Sequence, residues 1–517
     1  MLSGFHAKSP MLVLPLMGMT LSCSTGDGIE EVGRNGESPR NVIFILSDDH
    51  RYDYMGFMGA VPYLQTPNLD FLADNGAHVR NAFVTTSLSS PSRASILTGL
   101  YSHEHAVVDN VAPMPDDLVF FPQYLQNAGY STAFFGKWHM GNANGSPQPG
   151  FDHWESLDGQ GKYYNFKLNV NGEWKDYGDS LYVADVLTDH AISFIESNKE
   201  NPFFVYLSHK NAHEPFIASA EDEHIYDNMV NPVPVSYNNP DYGIPQLPSS
   251  GPDGKPKSGY GWYGDDMKPD WVKNQRESWH GVDFCYNGRR DFDSEQRRYC
   301  QTITSMDRTI GTLMTYLREN GLDDDTLVIY MGDNGFMWGE HGLIDKRNFY
   351  EASARVPMIA YCPEIIKPGT VVDALVQNID IAPTIMSACG LEKASDMRGD
   401  SILGMLKGEA VKDEWRDRIY YEYYWEYAFP QTPTMFGVRT DDYKYIHYHG
   451  IWDTNEFYDL RNDPDELHNQ IANPEYQDVI KELSKDLFDW LERTDGMSLP
   501  LKRNDRKHND WRNGKVF

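Results

Sequence analysis

Basic residues are scarce in this 517-residue chain: 45 Lys and Arg stand against 76 Asp and Glu, a formal charge of −31. A surface so biased repels the phosphate backbone of nucleic acids and anionic membranes, which excludes nucleic acid as a partner. An anionic ligand can be held only where a local cluster of Lys, Arg and His overrides that field. Long apolar runs are also lacking. The stretch 11–21, interrupted by Pro15, is too short to span a bilayer as a helix. With Lys8 as the sole charge before it and Ser22-Cys23 after it, residues 1–23 read as an export signal. Cys23 precedes a polar, Gly-rich stretch, 24–39, as in a bacterial lipoprotein tether, yet Thr20 stands where such sites usually carry Leu. Lipidation of Cys23, with membrane attachment through it, and simple secretion both stay open. The expected location is periplasmic, outer-membrane lipoprotein or secreted. Cysteine is rare: beyond Cys23 there are Cys285, Cys300, Cys362 and Cys389. An even number in an oxidising compartment permits disulfides without establishing any, and Cys285–Cys300 is the pair to test. Internal repeats and low-complexity tracts are absent.

The length predicts a large core plus an accessory domain. Residues 41–47 form a continuous apolar run, as expected for a strand buried on both faces of a parallel sheet, and similar runs recur at 131–135, 202–207 and 326–331. Between them lie helical patterns, the clearest at 294–320, where Ile303, Met306, Ile310, Leu313, Met314 and Leu317 recur at three- and four-residue steps. Such alternation predicts an α/β domain over 40–400. The stretch 221–290 breaks the pattern with Tyr260, Trp262, Tyr263, Trp271 and Trp279. It is too long for an ordinary connection and too aromatic for a disordered loop, so it reads as an ordered functional insertion. Short β-like runs at 418–425, 436–439, 443–449 and 456–460, then an amphipathic helix at 476–493, predict a small antiparallel sheet with a helix over 401–517.

The strand at 41–47 ends in Asp48-Asp49, and that at 326–331 leads into Asp333-Asn334. Ligand sites in parallel α/β sheets gather at the carboxyl ends of strands, so these side chains can converge. Their oxygens suit Ca²⁺ or Mg²⁺ better than zinc. A lone Asp-Asp is more often a loop or helix cap. Next come Ser89-Ser90-Pro91-Ser92-Arg93 and Leu97-Thr98-Gly99. In order there follow Gly136-Lys137-Trp138-His139, then Asn211-Ala212-His213-Glu214-Pro215, then Asp333-Asn334-Gly335, and finally Gly339, Gly342 and Lys346. This series resembles the type I sulfatases, whose signature begins Cys or Ser, any residue, Pro, any residue, Arg.

The resemblance implies an alkaline-phosphatase-like sandwich, a large mixed and mainly parallel sheet between helices. It implies that a maturation enzyme of the serine type oxidises Ser89 to formylglycine, whose hydrate attacks a sulfate ester; an unassisted serine hydroxyl is a weak nucleophile. Asp48, Asp49, Asp333, Asn334 and the modified residue 89 would hold one calcium ion. Arg93 and Lys137 would orient residue 89, His139 would accept a proton from it, and His213 and Lys346 would bind sulfate oxygens and help protonate the leaving oxygen. This cationic set is the local field the overall charge requires. The stretches 101–110 and 344–351 resemble carbohydrate sulfatases such as the N-acetylglucosamine-6-sulfatases. They make His105, Asn110, His341 and Arg347 candidate substrate contacts, and the insertion a candidate sugar-facing subsite. The expected partner is a sulfated carbohydrate. Two other readings stay open, a phosphate-ester hydrolase of the same superfamily and a non-catalytic glycan-binding protein.

Overall fold

The computed structural model describes residues 40–141, 145–237, 268–276, 278–288, 290–411, 413–450 and 454–498. The readings on 1–23, Cys23 and 24–39, and on Tyr260, Trp262 and Tyr263, lie outside the described residues.

The large sheet has ten strands: β1 Asn41–Ser47, β2 Ala77–Val79, β3 Ser131–Gly136, β4 His153–Leu157, β5 Lys167–Val170, β6 Glu173–Asp176, β7 Phe203–Ser208, β8 Thr326–Gly332, β9 Met358–Tyr361 and β10 Thr370–Val372. Their spatial order is β10-β2-β9-β8-β1-β7-β3-β4-β5-β6. The central run β8-β1-β7-β3-β4 is parallel, and antiparallel pairings flank it on both sides. Strand β1 is wholly buried, which explains its unbroken apolar sequence. Val42, Phe44 and Leu46 enter the core on one face; Ile43 and Ile45 enter the core on the other.

Five helices matter for the site: α1 Pro67–Asn75, α2 Ser89–Thr98, α3 Val183–Asn198, α4 Phe292–Glu319 and α5 Gln477–Arg493. Asp291 caps α4 by accepting from the Ser294 amide, and of the stripe read from the sequence Met306 to Leu317 is buried against β1 and α3, whereas Ile303 packs in a separate cluster with Tyr54, Phe216 and Phe336. Helix α2 lies on the opposite face, with Ala94, Ile96 and Leu97 in the core that holds Phe44. The C-terminal sheet runs β11 Arg418–Tyr423, β12 Met435–Thr440, β13 Tyr443–Tyr448 and β14 Glu456–Asp459, antiparallel throughout. On one face Ile480, Leu483, Leu487, Trp490 and Leu491 of α5 pack against Val438, Tyr445 and Phe457, each such side chain contributing roughly 1.5–3 kcal/mol when fully buried. On the other, Tyr421, Tyr423, Ile446 and Tyr458 share a cluster with Phe83, Leu88, Phe349 and Tyr350, which docks this sheet against the large one. No helix among the described residues is long and apolar enough to cross a membrane.

Cys285, Cys300, Cys362 and Cys389 are free thiols, so the Cys285–Cys300 pair considered above is not bridged. Burial pushes both of those thiols up to about 12.

Candidate active site

Four adjacent parallel strands, β8, β1, β7 and β3, deliver their carboxyl ends to one place. From β1 come Asp48 and Asp49, from β8 Asp333 and Asn334, from β3 Lys137 and from β7 the loop carrying Lys210 and His213. The β3 exit depends on Gly136 at φ 114°, where a Cβ would lie 1.8 Å from the Ser208 carbonyl oxygen, so no other side chain fits. That approach lets the Lys137 amide donate to the same carbonyl at 2.9 Å and turns its side chain inward. Residue 89 begins α2, whose entire first turn is buried.

At the centre Lys137 Nζ lies 2.5 Å from Asp48 Oδ2, and Ser89 Oγ donates to Asp48 Oδ1 at 3.4 Å. The Arg93 guanidinium holds Asp333 Oδ2 through Nε at 3.0 Å and Nη2 at 2.8 Å, and donates through Nη1 to the Lys137 carbonyl and Ser208 Oγ. Asp333 Oδ1 also accepts from the Asp49 amide at 2.9 Å. Lys346 Nζ contacts Asp49 Oδ1, which accepts from Asn334 Nδ2 at 2.8 Å as well. His213 Nε2 stands 3.8 Å from Asp49 Oδ2, and its Nδ1 lies 2.7 Å from the Glu214 carbonyl oxygen. The His139 carbonyl accepts from Ser90 Oγ, which also lies 3.4 Å from His139 Nδ1. The cationic cluster required by the net charge is therefore assembled; Arg93, Lys137, His139 and Lys346 are buried and His213 is partly open to solvent.

Burial alone would push the Asp48 carboxyl up, but Lys137, His213, Arg93 and Lys346 hold it well below the usual carboxylate range. Asp49 goes the other way: burial, with Asp48 and Asp333 close by, pushes it up to about 7 against the pull of Lys346. Burial, followed by Lys137, drives His139 and His213 well below their ordinary value, so both imidazoles are neutral near pH 7. Burial opposes the charge on Lys346, yet Asp49, Asp345, Asp48 and Asp333 raise it overall and keep the ammonium protonated.

The residues fit a hard divalent cation. Asp48, Asp49 and His213 each offer a ligand atom, all within 4.8 Å of one another. Asn334 Oδ1 is buried without a hydrogen-bond partner, and Asp333 and Asn334 both touch the Asp49 group through their other atoms. Two crowded carboxylates that resist ionisation, Asp49 and Asp333, beside an orphaned amide oxygen, are an arrangement that an oxygen-seeking cation relieves.

The four candidate substrate contacts are dispersed. Asn110 Oδ1 accepts from the Ser90 amide at 3.0 Å, beside residue 89. Arg347 pairs with Asp345 and, at 2.7 Å, with Glu426, and its guanidinium lies 3.9 Å from the centre of the Phe429 ring. His341 is buried, packs on Tyr350 at 4.2 Å between ring centres, and lines a cavity of about 210 Å³ with Arg51, Glu340, Glu351 and Glu466. His105 has a different place from the one expected. It is fully buried, with Nε2 3.0 Å from Ser95 Oγ and Nδ1 accepting from the Val107 amide, and burial pushes it down to about 3. Both nitrogens are used inside the protein, so the ring braces the back of α2 and has no atom left for a substrate. Of the insertion aromatics, Trp271 is buried against Tyr448 and supports the C-terminal sheet, whereas Trp279 packs on His280 and Phe429.

Two side chains near the centre escaped the sequence reading. Lys210 is buried, donates to the Glu214 carbonyl and lies over the Tyr163 ring; burial, then Lys137, pushes it down to about 8. Its signal was position alone, next to the Asn211–Pro215 motif. Asp345 is held below the usual carboxylate range: burial would raise it, but Arg347, His280 and Lys346 outweigh that effect. It sits immediately before Lys346, and sequence spacing did not separate it from an ordinary surface acid.

Residues 40–391 match the sulfatase family, and residues 339–493 match the C-terminal region of N-sulphoglucosamine sulphohydrolase. The chain is 33% identical over 507 residues to an N-acetylglucosamine-6-O-sulfatase of Bacteroides thetaiotaomicron, covering 91% of this chain and 89% of that one. It is 30% identical to the human N-acetylglucosamine-6-sulfatase, covering 80% and 71%. A solved structure of a protein in complex with its substrate D-glucosamine-2-N,6-O-disulfate superimposes with a TM-score of 0.76 at 30% identity, covering 90% of this chain and 100% of that one. With its strand-end carboxylates, buried cations and residue 89 at the head of α2, the chain belongs to the sulfatase family and is a sulfuric ester hydrolase.

Proposed function

We propose that the protein removes a 6-O-sulfate ester from an N-acetylglucosamine-type unit of a sulfated carbohydrate, using one calcium ion and a formylglycine made from Ser89 by a serine-type maturation enzyme. The observation that carries the sugar class is the 33% identity, across 91% of the chain, to an enzyme named for that substrate. Calcium and the hydrated aldehyde would supply, respectively, charge neutralisation and the attacking oxygen.

The chain's own groups have legible tasks. Asp48, Asp49, Asp333 and Asn334 would hold the cation with residue 89. Arg93 and Lys137 fix the carboxylates around residue 89 and offset negative charge there. Neutral His139, next to Ser90, is ready to take a proton from residue 89, whereas protonated Lys346 and the neighbouring His213 face the sulfate oxygens and the leaving oxygen. We further propose export, with Cys23 as the lipid anchor; incorporation of labelled palmitate that is lost in Cys23→Ala tests the anchor.

The test is sulfate release from N-acetylglucosamine-6-sulfate, measured by ion chromatography, together with mass spectrometry of the tryptic peptide 81–93 from protein made in its native host. Sulfate release and loss of two hydrogens at residue 89 are expected. Unmodified Ser89 in active protein would remove formylglycine from the mechanism. Faster turnover of the corresponding phosphate ester would favour the phosphate-ester reading, which a 26% identical multifunctional alkaline phosphatase superfamily protein of Trinickia caryophylli keeps relevant. Undiminished hydrolysis by His213→Ala would take His213 out of the reaction.

A further inference from the structure

The end of the insertion is laid along the active-site loop. Gly281 bridges Leu343, and the Ile344 amide donates to the His280 carbonyl at 2.7 Å, directly before Asp345 and Lys346. A Cβ on Gly281 would lie 2.0 Å from the Arg276 carbonyl oxygen, so this close turn requires glycine. The turn brings Trp279 and His280 together with the rings of Tyr286 and Phe429. His280 stacks on Phe429 at 4.6 Å and lies 3.2 Å from Asp345 Oδ2; Trp279 meets Tyr286 edge-on at 4.9 Å and Phe429 at 5.7 Å. Tyr286 is also clamped from the opposite side. Arg290 lies over its ring at 5.1 Å while pairing at 2.7 Å with Glu214, the residue after His213.

The Tyr286 hydroxyl is enclosed and has no hydrogen-bond partner. Buried polar groups are paired in the great majority of cases, and exceptions need a reason. Burial, reinforced by the Asp345, Glu214 and Asp49 carboxylates, pushes the phenol well above its ordinary value, so it stays a neutral donor at any working pH. Its surroundings also indicate what it would donate to. A sulfate oxygen is served by the cations around Asp48 and Asp49, whereas Tyr286 is surrounded by the Asp345, Glu214 and Asp49 carboxylates, and the cation over its ring, Arg290, is already paired with Glu214. A sugar hydroxyl suits both, because it can donate to a carboxylate and accept from the phenol. Half-buried Trp279 and Phe429 add the apolar wall on which the C–H face of a sugar packs.

We propose that Tyr286 donates a hydrogen bond from its hydroxyl to an oxygen of the sugar from which sulfate leaves, and so is a specificity-determining residue that reads the alcohol, not the sulfate. The assignment rests on the carbohydrate-sulfatase reading above. Tyr286→Phe keeps the ring and removes only the unpaired hydroxyl. It is assayed as matured, calcium-loaded enzyme on a panel of sulfated monosaccharides and on 4-nitrophenyl sulfate, whose leaving alcohol has no second hydroxyl. We expect kcat/KM to fall roughly tenfold on the best sugar sulfate and to change less than about twofold on the aryl sulfate, with an unchanged or higher melting temperature. Equal losses on both substrates, no loss on either, or a lower melting temperature overturns the Tyr286 assignment alone. Wild-type enzyme that cleaves the aryl sulfate but no sugar sulfate overturns the substrate class, and Tyr286 with it.

Discussion

Replacing Arg93 by lysine keeps the charge and removes the fork. Arg93 is 1% exposed and uses Nε and Nη2 on Asp333 and Nη1 on the Lys137 carbonyl and Ser208 Oγ, so one planar group ties β8, β3 and β7 together behind the site. A lysine ammonium, a single point of donors, can serve the Asp333 side or the Lys137 side but not both. Losing two of these four buried, charge-assisted hydrogen bonds costs about 1–3 kcal/mol each, or roughly 2–6 kcal/mol in total. Unfolding entropy near 2 cal/mol/K per residue makes that a drop of about 2–7 °C in melting temperature for a folded region of this size. The control is Arg461→Lys, whose 70% exposed side chain meets Asp442 at the surface; a change within about 0.5 kcal/mol is expected there. Calorimetry of both variants in the same calcium buffer decides. If Arg93→Lys melts like Arg461→Lys, the fork does not hold the strand ends, and the account of the site's rigidity is wrong.

Ser89→Ala should abolish turnover, by roughly 10⁴-fold or more, yet leave stability within about 1 kcal/mol. Among the described residues the only hydrogen bond that Ser89 Oγ makes is the 3.4 Å contact with Asp48; a large loss of stability would mean that the hydroxyl is structural. Asp307 anchors α1 by accepting from the Asn68 and Leu69 amides and from Asn68 Nδ2, and burial pushes its carboxyl up to about 6. A raised folded value means that its contribution is fully present below about pH 4 and is lost as pH rises through 6. The stability advantage of wild type over Asp307→Asn should therefore shrink by roughly 2–3 kcal/mol between pH 4 and pH 7 in urea titrations; a gap that widens would reverse the sign. Finally, protein unfolded without reductant should show Cys285, Cys300, Cys362 and Cys389 all reactive to a thiol reagent. Two fewer reactive thiols would mean that a disulfide forms after all.

The sequence by itself determined which segments are strands and helices where one face or both must be buried. The unbroken run in β1, the three- and four-step stripe of α4 and the alternating runs of the C-terminal sheet all emerge in the structure within a few residues of where periodicity places them. It also exposed the chemistry-bearing residues, because Asp48, Asp333, Lys137 and His213 follow apolar runs whose ends are visible without coordinates. Local pattern carries that information since backbone geometry imposes it over a few residues. Tertiary structure alone decided what each side chain meets. Asp49 and Asp333 are joined across 284 positions of sequence, and the order β8-β1-β7-β3, which no local pattern encodes, brings them together. The same holds for His105, which looked like a ligand contact and is a buried brace, and for Tyr286, an unremarkable tyrosine until burial leaves its hydroxyl without a partner beside the active-site carboxylates. Burial and partner choice arise from contacts between segments distant in the chain, so they come into being only when the strands have assembled.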